Sequence, residues 1–264
     1  MLLCLDIGNS HLYGGIFENE QLMFQFRYPS KVGCTSDELG IFLKNYLREM
    51  GLAPSCIKYA ACCSVVPSFD YSIRAALVKY FSIEPFVLQA GVKTGLQIKY
   101  KNPTEVGTDR IANAIAAFHH FPKRNIIIVD LGTATTFEAI SANGAFLGGA
   151  ILPGLQMQMR ALNEFAANLP PVRITKIDTA LGQSTATNIQ AGLFFGHQGA
   201  IKEIIRSISA DMFKEAPPVI IGTGGFAYLY ENEGIFDAIL PDLVLHGLRI
   251  AHEKNIVTKE ITTT

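Results

Sequence analysis

The sequence contains one short pattern twice, each time directly after a run of apolar residues. The first copy reads DIGNS from Asp6, and the second reads DLGTA from Asp130. Glycine after a strand lets the backbone approach a ligand closely, and the N–H groups of such a turn bind anionic oxygens. A carboxylate beside phosphates needs a cation between them. One copy alone would equally suit an ordinary turn, but two matched copies predict a binding site for a nucleoside triphosphate with a metal ion.

The repeat extends beyond these two turns. In the overlay that superposes the aspartates, Ile16 also meets Ile140 and Asn19 meets Asn143. Both copies follow the order strand, turn, strand, tight turn, strand. The repeat therefore predicts two similar lobes, with the ligand in a cleft between them.

A third glycine turn, Gly222–Gly225, follows another apolar strand. Neither the P-loop pattern nor G-x-G-x-x-G occurs in the chain, so neither nucleotide fold is indicated. After two aspartate turns, the third turn suits packing against adenine or ribose. The alternative is a glycine at a helix end.

A fourth candidate is the segment NPTEVGTDR, Asn102–Arg110, which leads into a predicted helix. Asp109 would lie at or near the helix N-terminus, where the dipole keeps a carboxylate ionised. It could accept the proton of a substrate hydroxyl as a weak base, or it could serve only to stabilise the helix start. Arg110 could bind a substrate carboxylate through a forked pair or form a surface ion pair.

The elements that position these residues alternate between strands and helices. Thr35 and Glu38 have the spacing of a capping box, and a further helix is expected from about Thr108. Asn143-Gly144 predicts a tight hairpin. The alternation indicates an α/β protein.

Composition narrows the class of protein. The 264 residues are 49% hydrophobic and 17% charged, which supports a large core and excludes global disorder. The formal net charge is −1, so nucleic acid is not an expected partner.

The sequence also indicates where the protein is located. No basic segment precedes the first apolar run, which Asp6 interrupts, so we expect no secretion signal. No window of about twenty residues is free of strong polarity, so we expect no membrane span. The five cysteines lack C-x-x-C spacing, which predicts unpaired thiols in a cytoplasmic protein rather than a zinc site.

Longer blocks carry a resemblance to a known family. Two D-x-G turns and a late glycine turn resemble the superfamily of sugar kinases, actin and heat-shock ATPases. Within it, the chain resembles type III pantothenate kinase through blocks that occur in the family's order, namely DIGNS, SVVP, NPTEVGTDR, DLGTATTF, GGAILPGL, ALNEFAANLP and PDLVLHGL. These blocks cover nearly the whole chain.

The resemblance implies a fold and a reaction. The fold is α/β, with two similar lobes of the actin-like ATPase (ribonuclease H-like) type and a nucleotide cleft between them. We expect an N-terminal lobe at 1–117, a C-terminal lobe at 118–254 and a flexible tail at 255–264. The reaction is ATP-dependent phosphorylation of pantothenate to 4′-phosphopantothenate, the first step of coenzyme A biosynthesis.

The resemblance also implies roles for single residues. Asp109 is the proton acceptor, and Asp130 is the ligand of a monovalent cation, K⁺ or NH₄⁺, needed besides Mg²⁺ and ATP. The implied ATP contacts are Asp6, Ile7, Gly8, Asn9, Ser10, His11, Leu12, Tyr13 and Thr133. The implied pantothenate contacts are Tyr100, Gly107, Thr108, Asp109, Arg110 and Thr185.

The family is further implied to be a homodimer whose substrate sites are completed at the interface. Thr185 would then serve its own site or that of the partner. A core role for Tyr100 and a helix-capping role for Thr185 are the structural alternatives.

The sequence leaves two other functions open. One is another kinase of the same fold, such as a sugar kinase, or a polyphosphate hydrolase. The other is a regulatory ATP-binding accessory factor without turnover, which would keep both aspartate turns but would not need Asp109.

Overall fold

The computed structural model describes residues 1–30 and 33–261. Its α-helices are α1 (Ser36–Glu49), α2 (Pro67–Phe81), α3 (Thr108–His120), α4 (Leu155–Phe165), α5 (Thr185–Met212) and α6 (Leu243–Ile261). Its strands are β1 (Leu2–Ile7), β2 (His11–Glu18), β3 (Gln21–Pro29), β4 (Tyr59–Ser64), β5 (Phe86–Val87), β6 (Gln97–Ile98), β7 (Ile126–Leu131), β8 (Ala134–Ile140), β9 (Ala145–Pro153), β10 (Val219–Thr223) and β11 (Ala238–Ile239). Within the described part of the chain, no helix is both long and apolar enough to cross a membrane.

The chain packs as two compact units. The first comprises Met1–Gly95, Lys101–Ala116 and Leu243–Thr264, and the second comprises Leu96–Tyr100 and Ala117–Asp242. The predicted lobes followed chain order, so most of α6 fell in the predicted C-terminal lobe. In the structure, α6 packs in the first unit instead. Helix α6 also includes residues 255–261 of the predicted tail, and residues 262–264 lie outside the described residues.

The first unit is a five-stranded sheet in the order β3-β2-β1-β4-β5. β1 pairs antiparallel with β2 and parallel with β4. Because side chains alternate along a strand, Leu3, Leu5 and Ile7 face the core formed with α1 and α2. Helix α6 packs on β1 and β4. The predicted capping box of Thr35 and Glu38 is confirmed at the start of α1.

The second unit is a six-stranded sheet in the order β11-β10-β7-β8-β9-β6. β7 pairs antiparallel with β8 and parallel with β10, as β1 does with β2 and β4. Ile127, Val129 and Leu131 face a core that includes α4 and α5. The predicted hairpin at Asn143-Gly144 is confirmed between β8 and β9, with φ of +80° at Gly144.

The internal repeat is visible in details of both sheets. β1 and β7 share one burial pattern, in which the aspartate is the single partly exposed position. Asp6 pairs with Tyr13, whereas Asp130 pairs with Thr136, so the first turn is one residue longer. The sequence overlay therefore slips by one residue after the turn.

With that slip corrected, Ile16 matches Ala139. Each of these two residues opens the irregularity in its pairing with the next strand, between Ile16 and Phe17 and between Ala139 and Ile140. A bulge strengthens the local twist of a strand. Its recurrence at the matched position shows that the two units repeat strand geometry as well as the turn sequence.

Candidate active site

The first aspartate turn, Asp6–His11, closes β1 in the first unit. The N–H of Gly8 donates to the carbonyl oxygen of His11 at 3.1 Å. The hydroxyl of Ser30, after β3, donates to the carbonyl oxygen of Gly8 at 2.7 Å. Residues 9–11 are exposed at the tip. These two hydrogen bonds fix the turn while its tip stays exposed, as a nest for anionic oxygens requires.

Two of the predicted ATP contacts lie deeper than the tip. Leu12 and Tyr13 are buried in β2, and Leu12 belongs to the apolar core. The hydroxyl of Tyr13 donates to Gln25, and the Arg27 guanidinium lies 4.1 Å from the centre of the Tyr13 ring. The side chains of Leu12 and Tyr13 are therefore committed to the sheet, and only their backbone is suited to a nucleotide contact.

The second aspartate turn, Asp130–Thr133, closes β7 in the second unit. The N–H of Gly132 donates to the carbonyl oxygen of Ala134 at 3.0 Å, and the N–H of Gly154 donates to that of Thr133 at 3.2 Å. A Cβ on Gly154 would lie 2.4 Å from the Thr133 carbonyl oxygen. Glycine at 154 is thus required for the chain before α4 to support the turn, which leaves Thr133 exposed.

The third glycine turn lies directly against Asp130. Gly224 has φ of +85°, and a Cβ there would lie 2.3 Å from Oδ1 of Asp130. The parallel pairing of β10 with β7 brings Thr223 beside Asp130 and explains this approach. The turn predicted to pack on adenine or ribose therefore packs, in this structure, against the Asp130 carboxylate.

Cys63 lies near two candidate site carboxylates of the first unit, Asp6 and Asp109. It lies beside Asp6 in the parallel pairing of β4 with β1, and its thiol donates to Oδ1 of Asp6 at 3.3 Å. Burial raises the pKa of the Cys63 thiol, and the nearby charges of Asp6 and Asp109 raise it further. Asp6 and Asp109 are thus neighbours of one buried thiol. The sequence predicted only that this cysteine is an unpaired thiol.

The start of α3 is anchored to the end of β4. The hydroxyl of Thr108 donates to the carbonyl oxygen of Ser64 at 3.0 Å and accepts from the N–H of Ser64 at 3.2 Å. One turn later, α3 touches α6 backbone to backbone, since a Cβ on Gly247 would lie 1.9 Å from the Ala112 carbonyl oxygen. The helix begins at Thr108 as predicted, and Asp109 follows in its first turn.

The electrostatics of Asp109 differ from the sequence expectation. The N–H of Arg110 donates to Oδ1 of Asp109 at 2.8 Å, and this bond and the Arg110 charge both favour the ionised form. Burial outweighs them and raises the pKa of Asp109. The expectation of a base weakened by the helix dipole is therefore wrong in direction, because periodicity shows the helix but not the loss of water around the carboxylate.

Gly107 makes room for that carboxylate. A Cβ at position 107 would lie 2.5 Å from Oδ1 of Asp109. The glycine does not have the positive φ of a left-handed turn. It is therefore needed because it lacks a side chain, and not because of its backbone conformation.

The predicted pantothenate residues divide between the two units. Gly107, Thr108 and Arg110 lie with Asp109 in the first unit, and Arg110 is buried, which does not fit a surface ion pair. Tyr100 lies in the second unit, partly buried against Phe146 with 6.4 Å between ring centres.

Thr185 also belongs to the second unit, as the first residue of α5. The capping box of that helix is formed by Ser184 and Thr187, and Thr185 is exposed. The predicted alternative of Thr185 as the helix cap is therefore wrong, because its neighbours supply both capping hydrogen bonds.

The chemistry of the site restricts how a metal ion can bind. Among the described residues, no group of three or more His, Cys, Asp or Glu side chains could hold a metal ion. Mg²⁺ keeps several waters and binds through substrate phosphates with one or two carboxylates. The single carboxylates of the two turns fit a divalent cation brought in by a nucleotide.

Comparison with known proteins places the chain in a family. The sequence model of type III pantothenate kinase matches residues 2–207. The chain belongs to the type III pantothenate kinase family. A type III pantothenate kinase of Legionella pneumophila (strain Corby) is 56% identical over 255 residues, covering 97% of this chain and 99% of the relative. The family and the enzyme class predicted from the sequence are thereby confirmed.

Solved structures agree with the predicted fold at low sequence identity. A protein described as a 2-dehydro-3-deoxygalactonokinase from Sinorhizobium meliloti superposes with a TM-score of 0.60 at 10% identity, covering 96% of this chain and 98% of its own. A protein described as a Baf family transcriptional activator from Campylobacter jejuni gives 0.59 at 20% identity, with coverage of 96% and 98%. The predicted fold of the sugar kinases and actin-like ATPases is confirmed.

Proposed function

We propose that this protein transfers the γ-phosphoryl group of ATP to the primary hydroxyl of pantothenate, giving 4′-phosphopantothenate at the start of coenzyme A biosynthesis. One structural observation supports it above the others. The partly buried Asp109 is anchored next to the first aspartate turn through Thr108 and Ser64, and burial raises its pKa. A general base with a raised pKa, held near a phosphate-binding turn, is what phosphoryl transfer to an alcohol needs.

In this mechanism Asp109 accepts the proton of the pantothenate hydroxyl. The hydroxyl oxygen forms a bond to the γ-phosphorus while the bond to the β–γ bridging oxygen breaks, and ADP leaves with that electron pair. The raised pKa makes Asp109 a stronger base than an exposed aspartate. In a loose transition state the proton moves late, so the main task of the protein is positioning.

The two aspartate turns bind the phosphates of ATP in this proposal. Backbone N–H groups and hydroxyls at residues 9–11 and at Thr133 donate to phosphate oxygens, and Asp6 would hold Mg²⁺ through its water shell. Asp130 holds K⁺ or NH₄⁺. Bound cations supply neutralisation of the phosphate charge, for which neither turn provides a lysine.

Pantothenate recognition is assigned to the remaining predicted residues. Arg110 binds the substrate carboxylate, since its guanidinium can form two parallel hydrogen bonds to it. Gly107 and Thr108 line the same place, and Tyr100 and Thr185 are assigned as further pantothenate contacts.

We further propose a homodimer in the cytoplasm. The second unit exposes large apolar side chains on β9, α4 and the segment before α5, namely Ile151, Met157, Leu162, Phe165 and Leu181. In the proposed dimer these side chains lie together in one interface, which would remove them from water. All five cysteines are unpaired thiols, which suits a reducing compartment. Light scattering of the purified protein tests the dimer, and a monomer at micromolar concentration would contradict it.

The reaction is tested by incubating the purified protein with Mg²⁺, ATP and pantothenate in potassium and then in sodium buffer. Phosphopantothenate is detected directly by mass spectrometry. We expect turnover in potassium that is lost in Asp109→Asn and kept in Asp211→Asn, a control aspartate exposed near the end of α5.

Other outcomes would change the proposal. Turnover that survives in Asp109→Asn would contradict the role of Asp109 as the base but not the proposed kinase activity. ATP binding without product in any cation would favour the regulatory alternative. Product formed equally in sodium and potassium would remove the monovalent-cation role of Asp130.

A further inference from the structure

A buried histidine with two ring hydrogen bonds contacts β8 just after the second aspartate turn. His197 of α5 is 2% exposed. Its Nε2 lies 3.0 Å from the hydroxyl oxygen of Thr135, and its Nδ1 lies 2.9 Å from the side-chain nitrogen of Gln158. The ring also stacks on Tyr230, with 6.4 Å between ring centres and 28° between planes. Nothing in the proposed mechanism uses this histidine.

The neighbours of His197 determine where its proton lies. The side-chain nitrogen of Gln158 also lies 2.8 Å from the carbonyl oxygen of Pro153. A carbonyl oxygen only accepts, so the amide nitrogen of Gln158 must point here and donate. Nδ1 of His197 is therefore the acceptor from Gln158. Burial lowers the pKa of His197 to about 4, so the ring is neutral, and the proton on Nε2 is donated to Thr135.

The two partners of His197 belong to different elements near the second aspartate turn, Thr135 to β8 and Gln158 to α4. Thr135 pairs with Leu131 at the point where β7 and β8 leave the turn. Gln158 binds the carbonyl of Pro153, and the next residue, Gly154, donates to Thr133 in the turn itself. His197 thus connects the strand side of the turn with the chain segment that supports it from α4.

We infer that His197 is a positioning residue for the reaction, because it holds Thr135 and Gln158 in the arrangement that keeps Gly132 and Thr133 in phosphate-binding geometry. This rests on the proposed function, since the turn is assigned to ATP there. The inference concerns ATP binding rather than the base or the acceptor. Loss of His197 should therefore lower the affinity for ATP and raise KM for ATP, while KM for pantothenate stays unchanged.

The principal test compares ATP affinity by calorimetry in three proteins. His197→Phe keeps the ring and its packing on Tyr230 but removes both hydrogen bonds, and we expect ATP to bind about tenfold more weakly. His119→Phe, at the exposed end of α3, is the matched control and should bind ATP as the wild type does. Unchanged ATP affinity and KM in His197→Phe would overturn the inference.

A double variant separates positioning from a purely structural role. His197→Phe leaves the buried Thr135 hydroxyl without this donor, which costs stability, and adding Thr135→Val removes that unsatisfied group. We expect the double variant to regain thermal stability while ATP affinity stays low. ATP affinity that recovers together with stability would show that His197 only supports the fold.

Two further measurements keep the inference testable if His197→Phe does not fold. Gln158→Met alters a partly buried side chain and should weaken ATP binding in the same way. Histidine ¹⁵N shifts of the wild-type protein should show His197 protonated at Nε2 and not at Nδ1, and the opposite tautomer would overturn the inference. Wild-type protein that binds ATP without phosphorylating pantothenate would contradict the proposed function but not the role of His197.

Discussion

Asp6 and Cys63 are neighbours on parallel strands, and the thiol donates to the carboxylate at 3.3 Å. The contact fixes the side chain of an aspartate that the proposal places next to Mg²⁺ and ATP. The charge of Asp109 also raises the pKa of the same thiol, so Cys63 lies near both the phosphate-binding turn and the proposed base.

We predict that Cys63→Val lowers kcat/KM for MgATP about fivefold, whereas Cys63→Ser stays near the wild type. Valine fills a similar volume without a donor, and serine keeps one, so the pair isolates the hydrogen bond. Steady-state kinetics at varied MgATP measures the effect. Equal loss in both variants would show that packing at position 63, and not the donor, is what matters.

Asp109→Asn should lower kcat by about 10²- to 10⁴-fold, the range of general-base catalysis, and raise thermal stability at pH 7. Burial raises the pKa of Asp109, so its ionised form destabilises the folded state. That penalty is complete above the folded-state pKa and disappears as pH falls through it towards the unfolded value. The stability difference from wild type should therefore shrink in acid, which thermal melts from pH 7 to pH 4 measure.

In the same window, kcat/KM of the wild type should fall as Asp109 becomes protonated. A stability difference that stays constant across this range would contradict the raised pKa. Activity independent of pH there would contradict its role as base.

Gly107→Ala should reduce kcat at least tenfold with little change in thermal stability. The new Cβ would lie 2.5 Å from Oδ1 of Asp109, and the carboxylate can rotate away at small cost, but it then leaves its position as base. Gly199→Ala on α5, where a Cβ meets nothing within 4 Å, is the control and should keep full activity. If Gly107→Ala retains wild-type kcat, the present position of the carboxylate is not required.

The local features of this fold were predictable from the sequence. The Asp-x-Gly turns, the helix start at Thr108 and the hairpin at Asn143-Gly144 each follow from a few adjacent residues whose backbone preferences agree. The assignment of function came from the family blocks. Each block is short, but together, in the family's order, they cover nearly the whole chain.

Features that depend on contacts distant in sequence were not predictable. Cys63 becomes a partner of Asp6 only through the register of β4 with β1, and α6 joins the first unit only through tertiary packing. The slip of one residue after the first turn is set by strand pairing, which an overlay of letters does not contain. The pKa of Asp109 likewise depends on what surrounds it.

Gly247→Ala should destabilise the protein by about 3 kcal/mol, at the upper end of the overpacking range. A Cβ there would lie 1.9 Å from the Ala112 carbonyl oxygen, and neither helix backbone can yield as a side chain can. Because α3 carries Asp109, any protein that still folds should also lose kcat as the base shifts. Urea unfolding and steady-state kinetics measure the two effects. Wild-type stability in Gly247→Ala would contradict the direct contact of α3 with α6.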